Sequence, residues 1–302
     1  MHCFNRSGDS SYHNLTSKLT FEQVNYICDK IIEVHPDIVC LCGGEPTLCN
    51  HFLHIVKKLS SDHISVNTVS NGYFIDADYA KQMKEAGIAV VQISLDSYIE
   101  AEHDKFRNCS GAFTHAVNAI KSLLSEGIYT EVSACPTKFN YNKIFEYANF
   151  IEKLGVKKIR MMPFVPMGRG LDNFNKLTCN ETEYFILKNQ IIKFNSLSKK
   201  VKIEWGDPLE HIYKAVYKNQ IQPTLIEIKS NGDIGISPYL PVTLGNIFRH
   251  SIKEYWDDGL NEVWGNSNVL ELISKINTLT DFFNEELMTW TIKRKDFDLI
   301  DE

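Results

Sequence analysis

The chain has 302 residues, 43% hydrophobic and 23% charged, with a net charge of −6. That length suits one barrel-sized domain with an appendage. The acidic balance argues against bulk nucleic-acid binding, which needs a basic footprint. No run approaches the ~18 apolar residues of a membrane span, and no signal peptide is visible, so a cytoplasmic protein is expected.

The chain carries eight cysteines (Cys3, Cys28, Cys40, Cys42, Cys49, Cys109, Cys135 and Cys179) and no C-x-x-C pair. A secreted disulfide scaffold would be shorter and denser in cysteine, so a reducing compartment is expected. Cys28, Cys40, Cys49, Cys109 and Cys179 read as small buried hydrophobes.

Local signals alternate along the first half. Thr20 begins a helix with Gln23 at the capping-box position, and Val24, Ile27, Ile31 and Ile32 recur at helical spacing. Residues 37–42 read as a buried strand and 50–59 as a helix with Phe52, Leu53, Val56 and Leu59 on one face. Residues 64–69 form the next strand, ended by Ser70-Asn71-Gly72. A helix over 76–85 stops at Gly87, a strand covers 89–95, a helix over 111–125 stops at Gly127, and a strand covers 129–133. A helix over 140–154 is closed by Gly155, and 158–162 is the last strand of the series. Short strands with helical connections are expected to be parallel and buried on both faces. Function is then expected at the C-terminal strand ends.

After Pro166 the rhythm changes. Met167-Gly168-Arg169-Gly170 reads as a loop, 182–197 as a long helix and 201–205 as a candidate strand. Strands at 225–228 and 234–236 flank Ser230-Asn231-Gly232-Asp233, a strong hairpin signal. Leu244-Gly245-Asn246-Ile247 precedes a helix near 251–256, and 281–302 is charged and aromatic without an assignable role.

Several residue groups can carry chemistry. Gly43-Gly44-Glu45-Pro46 directly follows a strand. Its glycines let backbone approach a ligand, and the Glu45 carboxylate can pair with an ammonium; the same four residues also make an ordinary tight turn. Ser70-Asn71 and Ser94-Leu95-Asp96 end the next two strands, where short polar side chains bind hydroxyls or cap turns. Arg107 carries a guanidinium fork suited to a carboxylate or to a surface ion pair. His103 and Asp104 read as loop-fixing residues. Asp207, in Trp205-Gly206-Asp207-Pro208, reads as a turn former or as a base at a barrel mouth.

Met1-His2-Cys3-Phe4, then Gly43-Gly44-Glu45-Pro46, Ser70-Asn71-Gly72, Ser94-Leu95-Asp96 and His103-Asp104-Lys105-Phe106-Arg107, taken in that order, resemble the radical S-adenosylmethionine (SAM) superfamily. Cys3 resembles the last cysteine of that family's C-x-x-x-C-x-x-C motif, with its two predecessors expected just ahead of Met1. The resemblance implies a [4Fe–4S] cluster held by thiolates, Cys3 among them, and SAM as cofactor. It implies that Gly43, Gly44, Glu45 and Pro46 meet the amino group of SAM. Ser70, Asn71, Ser94 and Asp96 would line its ribose and methionine parts, Arg107 would clamp its carboxylate, and Phe4 would pack over cluster or adenine. The chain departs from the pattern at Ser70, where Thr is usual, and at Ser97 and Asn108, where Gly is usual.

The C-terminal third resembles the SPASM branch more loosely. Pro163-Phe164-Val165-Pro166-Met167-Gly168-Arg169-Gly170 is similar to its strand-end segment, which implies that Arg169 meets a peptide or a carboxylate. Ile228 to Pro238, followed by Leu244-Gly245-Asn246-Ile247, is similar to its hairpin, but Ser237 stands at the cluster cysteine. No cysteine follows Cys179, so no cysteine-ligated auxiliary cluster is expected.

The resemblance implies an α/β fold: a partial (β/α)6 radical SAM barrel lacking its first strand, over 1–170, with a SPASM-like α+β extension, over 171–302, that positions substrate. It implies an enzyme that reductively cleaves SAM to a 5′-deoxyadenosyl radical and modifies, by crosslinking, a ribosomally synthesised peptide. Electrons would come from a flavodoxin or ferredoxin. The residues leave open a radical enzyme acting on a small metabolite, a truncated non-catalytic remnant or binding module, and a (β/α) hydrolase with a lone thiol nucleophile.

Overall fold

The computed structural model describes residue 3 and residues 19–240, 242–278, 281 and 295–301. Phe4 and most of 281–302 lie outside this range. The chain divides into two compact units, one built from Pro36–Phe164 and Asp172–Asp207, the other from Cys3–His35, Val165–Leu171 and Pro208–Glu302.

The first unit is a six-stranded parallel sheet with strands in sequence order. It runs β1 (Ile38–Leu41), α2 (Phe52–Ser61), β2 (Ser65–Ser70), α3 (Ala77–Ala86), β3 (Val90–Ser94), α4 (Glu100–Arg107), α5 (Ala112–Ser125), β4 (Tyr129–Ala134), α6 (Ile144–Lys153), β5 (Lys158–Met161) and, past the single turn α7 (Arg169–Asp172), whose first three residues belong to the second unit, the single turn α8 (Phe174–Leu177), α9 (Glu181–Leu197) and β6 (Lys202–Trp205). Helix ends follow local chemistry. Asp76 Oδ1 accepts the Tyr79 N–H at 2.8 Å to start α3. Gly87 ends it at φ 91°, a left-handed conformation that favours glycine.

The sheet corrects the expectation that 158–162 ends the series. Lys202–Trp205 pairs in parallel with β5, Ile159 opposite Ile203. The stretch 163–197, with its prolines and single turns, is one long crossover. Hence α9 and β6, assigned from sequence to a separate extension, belong to the sheet unit.

A second correction concerns burial. Strands in sequence order with same-handed crossovers place their helices on one face. Val66, Thr68 and Ser70, Val91 and Ile93, Val132, Ile159 and Met161, and Ile203 are buried on that face, against Val56, Leu59, Met83, Ile120, Leu123, Ile151 and Phe194 from the helices. Each fully buried aliphatic side chain contributes about 1.5–3 kcal/mol. Most alternate residues are half-buried or exposed, as in the repeating pattern of β2, whereas Glu131 on β4 is buried. The sheet is therefore buried on one face, and the polar residues of Lys158-Ile159-Arg160-Met161 and Lys202-Ile203-Glu204-Trp205 alternate accordingly.

The second unit contains α1 (Phe21–Val34), α10 (Glu210–Lys218), β7 (Glu227–Ile228), β8 (Asp233–Gly235), β9 (Val242–Thr243), β10 (Gly245–Asn246), α11 (Ile252–Asp257), α12 (Ser267–Ile273) and β11 (Lys295–Asp296). The Thr20–Gln23 capping box starts α1. The hairpin read from sequence is present as antiparallel β7–β8, and Gly245–Asn246 adds a third strand to it. A Ser251–Glu254 capping box begins α11. Ser237 is buried, and its Oγ accepts the Tyr239 N–H at 3.0 Å. Among the described residues no helix is long and apolar enough to cross a membrane.

Candidate functional site

The motif residues gather at the C-terminal ends of β1 to β4. Glu45 follows β1 and starts a short turn over Pro46–Leu48. Its Oε1 accepts the Thr47 hydroxyl at 2.6 Å, the Thr47 N–H at 3.2 Å and the Ser70 hydroxyl at 2.7 Å. Its Oε2 accepts the Asn71 N–H at 2.8 Å. Pro46 is buried, Glu45 half-buried, and Gly43 and Gly44 lie exposed on the turn. Gly43 has φ 144°, a conformation that favours glycine. Ser70 and Asn71 thus act together with Glu45. The Asn71 side chain turns back instead, its Oδ1 accepting the Tyr73 N–H at 2.8 Å.

A second hub forms one strand over. Asp96 is buried. Its Oδ2 accepts from Arg107 Nε at 2.7 Å, and its Oδ1 accepts the Cys135 N–H at 3.0 Å. The Asp96 N–H donates to His103 Nδ1 at 3.1 Å, and its carbonyl accepts from Asn140 Nδ2 at 3.0 Å. A backbone N–H only donates, so His103 Nδ1 is an acceptor and the neutral ring carries its proton on Nε2. Burial lowers the His103 pKa, and the Asp96 charge partly opposes that. Asp104 accepts the Gly111 and Phe113 N–H groups at 2.6 and 2.8 Å, the loop-fixing role read from sequence.

Burial raises the Tyr147 pKa well above its usual range, so its neutral hydroxyl donates to the Leu95 carbonyl. A small cavity opens beside the hub, lined by Ser97, Tyr98, Pro136, Lys143 and Ile144. Asn140 explains why α6 begins at Ile144 rather than at residue 140: its Oδ1 accepts the Thr137 N–H at 2.6 Å while its amide holds Asp96. The sequence analysis missed Asn140 and Tyr147; both reach the strand end through tertiary contacts.

The remaining candidates are distributed differently. Ser94 ends β3 opposite Ser133, on the face away from the helices. Cys3 is half-buried in the second unit, where its carbonyl accepts the Arg169 N–H at 2.8 Å. Among the described residues no three or more His, Cys, Asp or Glu side chains form a group that could hold a metal ion.

Comparison with known proteins places this geometry. The chain is 23% identical to an AdoMet-dependent heme synthase of Methanosarcina barkeri over 85% of its own length and 79% of that protein. It is 25% identical to mycofactocin maturase MftC of Mycobacterium ulcerans over 70% of its length. It spans about half (55%) of that maturase and 43% of an Fe-coproporphyrin III synthase of Methanosarcina barkeri. Its fold matches anSMEcpe with bound AdoMet at a TM-score of 0.65 and 15% identity, covering 90% of this chain and 78% of that one. It matches Streptococcus suis SuiB bound to S-adenosylmethionine at 0.61 and 15%, covering 86% and 64%. The Radical SAM superfamily profile matches residues 1–159, more than half of the chain. The chain therefore belongs to the radical SAM superfamily, enzymes whose cofactors are a [4Fe–4S] cluster and S-adenosylmethionine.

Proposed function

We propose that this chain binds SAM at the ends of β1 to β4 and modifies a ribosomally synthesised peptide, crosslinking it, with electrons from a flavodoxin or ferredoxin in the cytoplasm. When bound, the cluster and SAM supply a 5′-deoxyadenosyl radical that abstracts a substrate hydrogen. The observation carrying this reading is the Glu45 carboxylate, held by Thr47, Ser70 and Asn71 at the end of β1. A carboxylate so held is pre-positioned for an ammonium and does not have to be ordered at binding.

Gly44 and Pro46 shape the turn, and Ser94 offers a hydroxyl at the next strand end. Asp96 has both oxygens engaged, so its part is to hold Arg107 and the β4 backbone in place. Arg107 keeps its terminal nitrogens for a carboxylate, since only Nε meets Asp96. For SAM the donor set fits. For the cluster, Cys3 is the one thiolate of this chain at the motif, a partial ligand set, and no step is assigned through it. The peptide reading leans on the maturase relative and on the likeness to SuiB, crystallised elsewhere with its precursor peptide SuiA. In this scheme the sheet unit, with Asp172–Asp207 included, supplies the radical chemistry and 208–302 positions substrate.

The test is anaerobic incubation of the protein with iron, sulfide, reductant and SAM, followed by chromatography for 5′-deoxyadenosine. Release of 5′-deoxyadenosine, lost in Glu45→Ala, supports the reading. Iron uptake with SAM left intact overturns it.

A further inference from the structure

The N-terminal ends of β5 and β6 carry a cluster of lysines, on a chain whose net charge is −6. Lys153, Lys157, Lys199, Lys200 and Lys202 are all exposed there. Strand pairing gathers them. Lys202 stands opposite Lys158 in register, and its N–H donates to the Lys157 carbonyl at 3.0 Å. Lys200 Nζ lies 3.2 Å from Glu152, the neighbour of Lys153 in the last turn of α6. The loops that enter β5 and β6 therefore lie side by side.

Few carboxylates answer these charges. Glu152 takes Lys200, while Glu131 and Glu204 take Lys158 at 3.1 and 3.0 Å. The start of β4, one strand over, adds Glu126 and Lys84, one charge of each sign; Lys84 Nζ donates to the Gly127 carbonyl at 3.4 Å. Helices α6 and α9 also end here, and each C-terminus carries about half a negative charge. Lys153 serves that role for α6, and Lys202 serves it for α9, donating to the Asn195 carbonyl at 3.2 Å. Lys157 and Lys199 have no such task and make no ion pair among the described residues. The Lys200 side chain is 81% exposed despite its partner. A surface ordinarily intersperses both signs. Here the positive sign dominates, flanked by two apolar side chains: Leu197 at the end of α9 is 66% exposed, and Tyr129 at the start of β4 is 49% exposed.

We propose that this surface docks an acidic, amphipathic segment of a partner protein, its carboxylates meeting Lys157, Lys199 and Lys200 and its apolar side chains meeting Leu197 and Tyr129. Complementary charge steers such an encounter and fixes its register. A protein segment fits better than a nucleic acid or an anionic membrane. Those extended polyanions would also meet the rest of an acidic chain, whereas a short segment meets only the local excess of lysine. The surface lies at the opposite end of the strands from Glu45 and Asp96, roughly 13–20 Å away at about 3.3 Å per residue. It takes no part in the proposed SAM site, so either reading can fail alone.

The probe is a fluorescent peptide of repeated Glu-Glu-Leu units, followed by anisotropy against the full chain, with a Gln-Gln-Leu peptide as its neutral counterpart. The acidic peptide is expected to bind in dilute salt and the neutral one not to bind. Binding weakens as salt rises, because exposed charges are screened. Combining Lys157→Gln, Lys199→Gln and Lys200→Gln weakens it about tenfold. Glu152→Gln, which releases Lys200, tightens it about twofold. Lys81→Gln, at an exposed lysine of α3, leaves it unchanged. All these lysines are exposed, and circular dichroism checks that the variants keep the native fold. Failure of the acidic peptide to bind, equal binding of the neutral one, or undiminished binding in the triple variant overturns the proposal. So does an equal loss in Lys81→Gln, weaker binding in Glu152→Gln, or tighter binding of duplex DNA or phosphatidylserine vesicles than of the peptide.

Discussion

Arg107 holds the buried carboxylate of Asp96 through Nε at 2.7 Å, so the arginine of the His103-to-Arg107 run is first a partner of the preceding strand end. The other carboxylate oxygen ties down the start of the chain beyond β4 at Cys135. One side chain therefore aligns two neighbouring strand ends where SAM is proposed to lie.

Asp96→Ala leaves Arg107 and the Cys135 N–H without their acceptor and is expected to cost about 3–5 kcal/mol. Arg107 is partly exposed, so water replaces some of what it supplies, and Arg107→Ala is expected to cost about 2–3 kcal/mol. Urea titration followed by circular dichroism measures both. A cost under about 0.5 kcal/mol for Asp96→Ala, the range of an ordinary surface change, contradicts the hub.

His103 makes the fold sensitive to mild acid. Burial lowers its folded pKa below the ordinary 6.5, so the unfolded chain binds more protons between the two values. Its contribution to stability is intact above pH 6.5 and is lost as the pH falls from there to the folded-state value. Protonating Nδ1 also removes the acceptor for the Asp96 N–H. The urea midpoint is expected to fall across this window in the native protein and to stay flat in His103→Gln, whose amide oxygen can accept the same N–H. Equal slopes in the two proteins would contradict the assignment.

The Glu45 carboxylate proposed to meet SAM depends on Ser70. Ser70→Ala removes one charge-assisted hydrogen bond to Glu45, worth about 1.5 kcal/mol, and is expected to weaken SAM binding about tenfold. Ser70→Thr, which keeps the hydroxyl, is expected to bind as the native chain does. Glu45→Gln removes the charge that meets the ammonium and is expected to cost about 2 kcal/mol or more. Equilibrium dialysis with radiolabelled SAM distinguishes these; native affinity in Glu45→Gln would count against the site.

In the second unit, Gly245 lies against the ring of Tyr255. A Cβ there would come within 2.2 Å of Cε1 of that buried ring, whose hydroxyl accepts the Asn246 N–H at 3.0 Å and donates to Asp298 at 3.2 Å. Arg249 pairs with the same Asp298. Gly245→Ala is expected to destabilise this unit by about 1–3 kcal/mol. Hydrogen exchange should quicken across β8 and β10 while the parallel sheet stays protected. Unchanged protection at β8 would contradict the packing.

Much of the frame was legible locally. The box Thr20–Gln23 and the glycine stop at Gly87 act within one helical turn, so residue type and spacing predict them. The strand-end location of Glu45, Ser70 and Asp96 followed from the strand–helix rhythm. Arg160 and Glu204 also left a signal, the alternation of charged and apolar residues in two short strands, but the expectation of two-sided burial obscured it. Nothing near Asn140 announced its pull from Asp96, and an ordinary helix start was the local expectation.

By itself, the sequence determined the locally capped helix ends, such as the start of α1 and the stop of α3, which residues are apolar enough to build the sheet, and which polar residues stand at its exits, because each depends on neighbours a few positions away. Only the tertiary structure decided that β6 joins the sheet across a crossover of about forty residues, that the crossover helices share one face, and which polar groups meet at the strand ends. Those outcomes depend on strand pairing and curvature between distant segments, where the hydrogen-bonding groups of one strand are satisfied by another.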